Sequence, residues 1–353
     1  MTVISCAFHR CELYAGSDEM QKSVISADLT DPLLAFAPLP LHQVLFPYGF
    51  PVHIKTNHPG VIRAAELSWA GFRQRFREAP IEIRFMVSDF PSRRKPASPI
   101  FRAQANLLTV VADSHNFGCC DLTAGFGFAC ITKAAIYQKD YFRYNYLEAM
   151  VYTLLDTRYL VTMHAACVAF QGCGFLFVGD SGAGKSSLAY ACARRGWTYV
   201  SDDTSCLARK RTGRSVLGNP ETFRFRPPAS QLFPELQGPI KLRQNKPTLE
   251  VKTECLTNVR TAHEVAVYYL IFLSRSETAV ETPYLVSVSR EVALKRLLPQ
   301  VWPTELAIHE ERLHAMERLL EAEKHELVYG NFDPAIDLLE HLVRQSHLLA
   351  EQH

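Results

Sequence analysis

The sequence predicts an α/β (α+β) chain with a mainly β N-terminal domain over residues 1–145 and an α/β domain over residues 146–353. A length of 353 residues favours two domains, with one large α/β domain as the alternative. Apolar and polar residues alternate from about residue 80, which is typical of half-buried strands. The apolar residues of YNYLEAMVYTLLDTR then recur at helical spacing, so this segment is expected to form a helix that links the two domains.

The N-terminal domain is predicted from aromatic and β-branched segments. A polar stretch opens the chain, and the proline-rich segment DPLLAFAPLPLHQVLFPYGFP that follows resists long helices. We expect antiparallel strands in IEIRFMVSD, ANLLTVVADS and GFGFACITKAAIY. No pattern in this domain indicates its role.

The second domain is predicted to begin with a hairpin, YLVTMHAACVAFQGCGFLFVGD, followed by a helix over Lys185–Arg195 and the strand TYVSDD. PETFRFRPPASQLFPEL is expected to form a strand and a short helix. The continuous apolar run EVAVYYLIFLSR indicates a buried central strand. Two amphipathic helices, over Glu291–Leu298 and Pro334–Leu349, are expected to close the chain.

Composition excludes several classes of protein. Hydrophobic residues make up 48% of the chain and charged residues 21%, as in ordinary globular proteins. A net charge of +2 does not favour a nucleic-acid partner. The basic runs Arg93-Arg94-Lys95 and Arg209-Lys210-Arg211 are short and lie beside turn residues, so we expect solvated loops there.

The ten cysteines are scattered rather than set in a regular framework, which favours reduced thiols and a cytoplasmic protein. No secretory signal is visible at the N-terminus. The most apolar segment, Tyr159–Gly179, is interrupted by polar residues and glycines, so no membrane span is expected. Cys6, His9 and Cys11 lack a fourth ligand at finger-like spacing, which argues against a zinc site.

A complete G-x-x-x-x-G-K-[ST] pattern lies between an apolar strand and a segment of good helix formers, and it predicts that the chain binds a nucleoside triphosphate. Glycines are needed at Gly182 and Gly184 because backbone N–H groups must approach phosphate oxygens closely. Lys185 would reach the β- and γ-phosphates, and the Ser186 hydroxyl would bind Mg²⁺. The predicted nucleotide-binding residues are Gly179, Asp180, Ser181, Gly182, Ala183, Gly184, Lys185, Ser186 and Ser187.

The surrounding sequence narrows the class of nucleotide-binding protein. Asn245-Lys246-Pro247-Thr248 lacks the aspartate of a guanine motif, and neither a transporter signature nor a recognisable Walker B segment is present. Instead, the next strand ends in Asp202-Asp203, close behind the phosphate loop. Two acids there suit phosphotransfer, because one carboxylate can hold Mg²⁺ while the other takes a proton from an attacking hydroxyl. His164 precedes the loop on the first strand of the predicted hairpin.

The segment MHAACVAFQGCGFLFVGDSGAGKSSLAYACARRGWTYVSDD resembles the catalytic core of HPr kinase/phosphorylase and its relatives. That family has a strand histidine followed by a small residue, a short turn, a G-D-S-G-x-G-K-S loop, a helix ending in R-G and a strand ending in D-D. This chain supplies the five elements in the same order over about 40 residues. The resemblance implies a phosphoenolpyruvate-carboxykinase-like P-loop kinase domain with a mixed sheet.

The resemblance further implies ATP-dependent phosphorylation of a seryl hydroxyl on a protein or peptide. Asp202 would accept the proton, Asp203 and Ser186 would hold Mg²⁺, and His164 would lie near the phosphates. It also implies a homo-oligomer. The family's second signature, L-E-x-R-G-x-G, is absent, and Ser187 stands where a glutamate is common. We therefore expect a divergent relative with an acceptor other than HPr.

Two other functions remain open from the sequence, a nucleotide-binding regulator without turnover and a small-molecule kinase on the same fold. The intact Lys185, Ser186 and acid pair favour catalysis, because a pure binder need not keep the metal and base groups. Arg224, Arg226 and Arg275 are candidates for a further positive group near the developing phosphoryl charge.

Overall fold

The structure, a computed structural model, describes residues 33–34, 36–90, 96–227, 229–243, 246–275, 282–301 and 309–350. The opening polar stretch with Cys6, His9 and Cys11 lies outside the described residues, as does the basic run at 93–95. Within the described part of the chain, no helix is long and apolar enough to cross a membrane.

A seven-stranded sheet forms the first layer of the fold, in the order β1-β2-β3-β7-β6-β5-β4. Its strands are β1 (Leu41–Leu45), β2 (Val52–Thr56), β3 (Ile81–Ser88), β4 (Ile100–Gln104), β5 (Leu107–Val111), β6 (Phe117–Asp121) and β7 (Phe126–Thr132). Strict alternation in β3 buries every second side chain, which confirms the strand predicted there. The first helix, α1 (Pro59–Trp69), lies between β2 and β3.

The expectation of antiparallel pairing in this sheet is wrong for its centre, because β3 pairs in parallel with both β2 and β7. Helix α1 makes the β2–β3 pairing possible, since parallel strands need a crossover connection. Two local signals start the helix: Pro59 occupies its first turn, and the His58 side chain accepts a hydrogen bond from Gly60 N. No helix was predicted for these residues from the sequence.

The predicted linking helix is present, and it packs on the first sheet. The segment comprises α2 (Lys133–Tyr137), α3 (Lys139–Phe142), a π-helical stretch (Arg143–Glu148) and α4 (Ala149–Arg158). Met150, Val151, Leu154 and Leu155 of α4 are fully buried in the same core as the β3 side chains. The division of the chain into independent domains at residues 145 and 146 stays a prediction.

A ten-stranded sheet forms the second layer, and it is mixed. In chain order its elements begin with β8 (Leu160–Met163), β9 (Ala165–Phe170), β10 (Cys173–Val178), α5 (Lys185–Arg194), β11 (Thr198–Ser201), β12 (Ser205–Ala208) and β13 (Ser215–Gly218). β14 (Thr222–Phe225), α6 (Ala229–Leu232), β15 (Ile240–Arg243) and β16 (Lys246–Lys252) follow, and their strands form a separate three-stranded sheet.

The remaining elements complete the second layer. They are β17 (Arg260–Thr261), β18 (Glu264–Arg275), β19 (Tyr284–Ser287), α7 (Arg290–Leu297), α8 (His309–Leu319), β20 (Glu323–Tyr329) and α9 (Phe332–Ala350). β18 is central, as predicted, because it pairs in parallel with β10 and β20 and antiparallel with β13. Both predicted closing helices exist as α7 and α9. The sequence reading missed α8 and β20 between them.

Two local expectations need correction. His164 lies in a bend between β8 and β9 rather than on a strand, and β8 pairs with β12, so the predicted hairpin is formed by β9 and β10 alone. Its tight turn uses Gln171 and Gly172, both with positive φ.

Arg209 is 5% exposed rather than solvated, because its guanidinium donates to Thr157 O and faces Glu311. Cys167 and Cys192 are buried free thiols, as the scattered cysteines predicted.

A buried ion pair joins α4 to α8. Arg312 donates to Asp156 Oδ2, each side chain is 5% exposed, and Asp156 Oδ1 also accepts from Thr162 N at 2.9 Å. Removing one partner leaves the other charge buried without compensation. We expect Arg312→Met to lower the free energy of unfolding by about 3–5 kcal/mol in urea titrations.

The double variant Asp156→Leu/Arg312→Met is the control for that experiment. It removes both charges but also the acceptor of Thr162 N, so it should recover part of the loss. A single Arg312→Met variant within about 1 kcal/mol of the parent would contradict this account of the pair.

Candidate active site

The phosphate loop connects β10, which is buried in the centre of the ten-stranded sheet, to the first residue of α5. Gly182 has φ 96° and Gly184 has φ 93°, the left-handed conformation that the motif requires. A Cβ on Gly184 would lie 2.8 Å from the Tyr329 hydroxyl, whereas one on Gly182 would meet nothing within 4 Å. Gly184 is therefore needed both for its positive φ and for the close contact with Tyr329, whereas Gly182 is needed for its positive φ alone.

The phosphate loop and the first turn of α5 offer backbone N–H groups that could bind an anion. Ala183 N donates to Asp180 O and closes a turn inside the loop, and the first helical hydrogen bond of α5 runs from Leu188 N to Gly184 O. The amides that precede Leu188 in the first turn have no carbonyl partner within the helix. Together with the helix dipole, these amides form the type of site that binds phosphate groups.

Lys185 lies under this loop, with 5% of its surface exposed. Its Nζ donates to Gly179 O at 2.6 Å and to Asp180 O at 3.1 Å. Burial lowers the pKa of Lys185, and the nearby carboxylates of Asp203 and Asp180 act in the opposite direction. The ammonium group is thus held at the loop by the loop's own carbonyl groups.

The acid pair follows β11, and its first member is enclosed. Asp202 is 2% exposed. Its Oδ1 accepts from the Tyr199 hydroxyl at 3.1 Å and its Oδ2 accepts from Arg224 N at 2.6 Å. Burial, followed by the charge of Asp203, raises the pKa of Asp202 to about 7, although Arg224 and both hydrogen bonds lower it. Such a carboxyl group can exchange a proton near neutral pH.

The second acid, Asp203, contacts His164. His164 Nδ1 lies 3.2 Å from Asp203 Oδ1 and 3.1 Å from Asp203 O. Because both oxygens are acceptors, Nδ1 carries a proton in this arrangement. The side chains of His164 and Asp203 are 40% and 36% exposed, so they face the open part of the site, in contrast to the enclosed Asp202.

The start of α5 is tied directly to the acid pair. Ser186 Oγ donates to Asp202 O at 3.2 Å, which brings the predicted metal-binding hydroxyl next to the acids. The structure therefore places the phosphate loop, Lys185, Ser186, both acids and His164 in one site. Within the described residues, no three Asp, Glu, His or Cys side chains cluster as a ready-made metal site.

These groups are suited to Mg²⁺ that arrives with a nucleotide. Mg²⁺ usually takes one or two protein ligands and completes its shell with phosphate oxygens and water. The Asp203 carboxylate and the Ser186 hydroxyl are the two oxygen groups that could hold such an ion beside the loop. The site therefore fits a magnesium–triphosphate rather than an ion held by protein alone.

The three candidate arginines have different surroundings. The Arg224 side chain is 14% exposed, and its Nε lies 3.5 Å from Glu250 Oε1. Arg275 borders the phosphate loop, since its Cδ lies 3.9 Å from the position of a Cβ on Gly184. Arg226 is exposed. Arg275 is thus the best placed for phosphate oxygens, whereas Arg224 is a buried partner of the acids.

Sequence reasoning missed a network that supports Arg224. Glu250 of β16 accepts hydrogen bonds from the Tyr144 hydroxyl at 2.8 Å and lies 3.1 Å from Lys241 Nζ. Tyr144 belongs to the π-helical stretch, so this carboxylate joins the first layer of the fold to the neighbours of Asp202. Tyr199, which stacks on Phe223 at 3.8 Å between ring centroids, was also missed. No local pattern marks residues that meet across more than 100 positions.

One cavity of about 1610 Å³ contains the site. Its floor includes Lys185, Ser186, Asp202, Asp203 and His164. Residues from the first half of the chain also line the cavity, among them Pro99, Phe101, Tyr137, Lys139, Tyr141, Tyr144 and Glu148. Typical ligand pockets occupy about 300–1,000 Å³, so this cavity has room beyond a nucleotide.

Comparison with known proteins finds a distant likeness. No family model matches the chain, and no curated protein matches it. Among solved structures, the chain is similar to the HPr(Ser) kinase/phosphatase from Coxiella burnetii, with 18% sequence identity and a TM-score of 0.29. The match covers 54% of this chain and 98% of that one. Because so low a TM-score indicates only a distant relationship, the function is inferred below from the residues of this chain.

Proposed function

We propose that the chain is an ATP-dependent kinase that transfers the γ-phosphoryl group to a hydroxyl group, with serine of a protein or peptide as the acceptor. The observation that carries the proposal is the meeting of the phosphate loop with Asp202, Asp203 and His164 in one cavity. A nucleotide-binding regulator would need the loop alone. A hydroxyl acceptor needs a proton-accepting group at the same place.

In the proposed reaction, the seryl oxygen forms a bond to the γ-phosphorus while the bond from that phosphorus to the β–γ bridging oxygen breaks. The seryl proton passes to Asp202, and ADP leaves. The near-neutral pKa of Asp202 suits this exchange, because the group can accept the proton and release it again. Asp203 and Ser186 would hold Mg²⁺, which would neutralise part of the phosphate charge.

The remaining groups of the site would bind the phosphates and orient the Asp203 carboxylate. Lys185 and the loop amides would bind the β- and γ-phosphates, where charge develops during transfer. Arg275 would add a positive group at the loop. His164 donates from Nδ1 to Asp203 and so would fix the direction of that carboxylate. In this scheme Asp203 binds and orients, and Asp202 takes the proton.

Labelled ATP with Mg²⁺ and a cell lysate tests the proposal against the two other functions. We expect the purified chain to label a protein or peptide. Tight ATP binding without any transfer would favour a regulator, and label confined to a metabolite would favour a small-molecule kinase.

The Ser186 hydroxyl gives a prediction about the metal. Ser186→Ala removes one oxygen ligand, so we expect the Mg²⁺ concentration for half-maximal transfer to rise by roughly tenfold, the effect of about 1.4 kcal/mol. Ser186→Thr keeps a hydroxyl and is the matched control. A Mg²⁺ titration in which all three proteins coincide would remove Ser186 from the metal site.

A further inference from the structure

The seven-stranded sheet ends in an exposed strand. β4 lies last in the sheet order, and β5 is its one neighbour among the described residues. All five of its residues are exposed, including Ile100 at 59% and Phe101 at 45%. Such an edge presents a row of backbone N–H and C=O groups to any extended chain that approaches.

The hairpin register identifies which backbone groups face outward. β4 and β5 are joined by a two-residue turn at Ala105 and Asn106, and Gln104 is opposite Leu107. The residues that flank a two-residue turn form a hydrogen-bonded pair, and bonded and non-bonded pairs then alternate along the ladder. The N–H and C=O groups of Phe101 and Ala103 therefore point away from β5, toward the free edge.

This edge continues into the candidate active site. Pro99 and Phe101 line the same cavity as Lys185 and Asp202. Three more exposed apolar side chains line this cavity, namely Tyr137, Leu232 and Ile240, at 70%, 46% and 63% exposed. A chain paired with β4 would thus run past apolar contacts toward the acids.

The charges around the cavity indicate the chemistry of that chain. Lys139 of the first half of the chain and Arg226 of the second half both line the cavity, and both are exposed. Arg102 is exposed on β4 itself. Among the described residues, none of these three cations has an ion-pair partner, whereas Lys241 in the same cavity is paired with Asp140 and Glu250. The unpaired cations favour acidic side chains on an incoming chain.

Building on the proposed function, we propose that the acceptor is an extended segment of a separate polypeptide that pairs with the free edge of β4. In this arrangement the segment carries acidic side chains beside its seryl hydroxyl, opposite Lys139 and Arg226. The first half of the chain is then the acceptor-binding part of the enzyme. Addition of a strand to a sheet edge is a common mode of peptide recognition, in which the backbone supplies affinity and side-chain contacts supply specificity.

The first test removes one outward donor from β4. Ala103→Pro deletes the N–H that faces the free edge and leaves the ladder to β5, where Ala103 is a non-bonded position. The probe is a degenerate library of serine-centred peptides with the full-length protein and ATP. We expect kcat/KM for the library to fall by roughly tenfold, as for one lost hydrogen bond, with the KM for ATP unchanged. Ala103→Ser keeps the N–H and should match the parent.

The second test reverses charge. The parent should prefer acidic residues beside the serine, and Lys139→Glu/Arg226→Glu should shift the preference toward basic residues. Transfer to peptides that is insensitive to all of these changes would overturn the edge proposal and leave the kinase function standing. Transfer restricted to low-molecular-weight alcohols would overturn it as well. If the parent protein neither binds ATP nor transfers its phosphoryl group to any acceptor, the proposed function itself is overturned.

Discussion

Asp202→Asn is expected to leave ATP binding within about threefold of the parent and to lower phosphoryl transfer by about 10²–10⁴-fold, the usual contribution of a positioned base. The substitution keeps the shape of the side chain. The Asn carbonyl can accept from Arg224 N, and its amide can donate to the Tyr199 hydroxyl, so the contacts of Asp202 are preserved. The variant loses the ability to accept a proton. ATP titration and initial-rate measurements on the same protein preparation separate the two effects.

Asp203→Asn is the matched comparison. If Asp203 holds Mg²⁺, its variant should regain activity as the Mg²⁺ concentration rises, whereas Asp202→Asn should not. Transfer by Asp202→Asn within tenfold of the parent would contradict the assignment of Asp202 as the proton acceptor. Full recovery of both variants by Mg²⁺ would reverse the two roles or remove the distinction between them.

Lys185→Met is expected to lower transfer by about 10²–10³-fold, because it removes a preorganised positive group from the phosphates. Affinity for ATP should fall by roughly tenfold to a hundredfold, the value of a charge-assisted hydrogen bond. Methionine has a similar length and suits a buried position, but it does not donate to the carbonyl groups of Gly179 and Asp180. The measurements are calorimetric ATP binding and the rate of label transfer.

Lys210→Met is the control, since Lys210 is an exposed lysine away from the cavity. It should match the parent in both assays. Unchanged ATP affinity in Lys185→Met would show that the loop does not bind the triphosphate in the proposed way.

Local sequence patterns predicted the centre of the second layer. The phosphate loop, α5, β11 and β18 are each determined by short-range signals: glycines with positive φ, good helix formers, and apolar runs. The pairing of strands was less predictable. The parallel pairing of β3 with β2 depends on α1, a helix that begins at Pro59. The strand β20 was missed because its sequence, EKHELVY, is as polar as a helix surface.

The candidate site shows the same division. Lys185 and Ser186 belong to the phosphate-loop motif, and Asp202 and Asp203 end the next predicted strand, so short-range patterns identified all four. His164 was placed on a strand, yet its contact with Asp203 depends on the bend after β8. The support from Tyr144 and Glu250 arises only from the packing of the first layer against the three-stranded sheet. Single-sequence patterns hold no information on such contacts.

The first half of the chain contributes to the candidate site because its residues line the cavity. Tyr144 and Asp140 also reach across to Glu250 and Lys241, which tie these residues to the strand that carries Arg224. Under the proposed function, the second half of the chain would hold the nucleotide and carries the acids, and the first half would face the acceptor.

The measurement that tests the central claim most directly follows the γ-phosphoryl group itself. The purified chain, Mg²⁺ and ATP with ¹⁸O-labelled γ-phosphoryl oxygens are incubated with the serine-centred peptide library, and mass spectrometry locates the label. A kinase of the proposed type places the labelled phosphoryl group on a seryl oxygen, and Asp202→Asn lowers the rate of that product's formation by about 10²–10⁴-fold. Label found only in inorganic phosphate, or only in unreacted ATP, would contradict the proposed phosphotransferase.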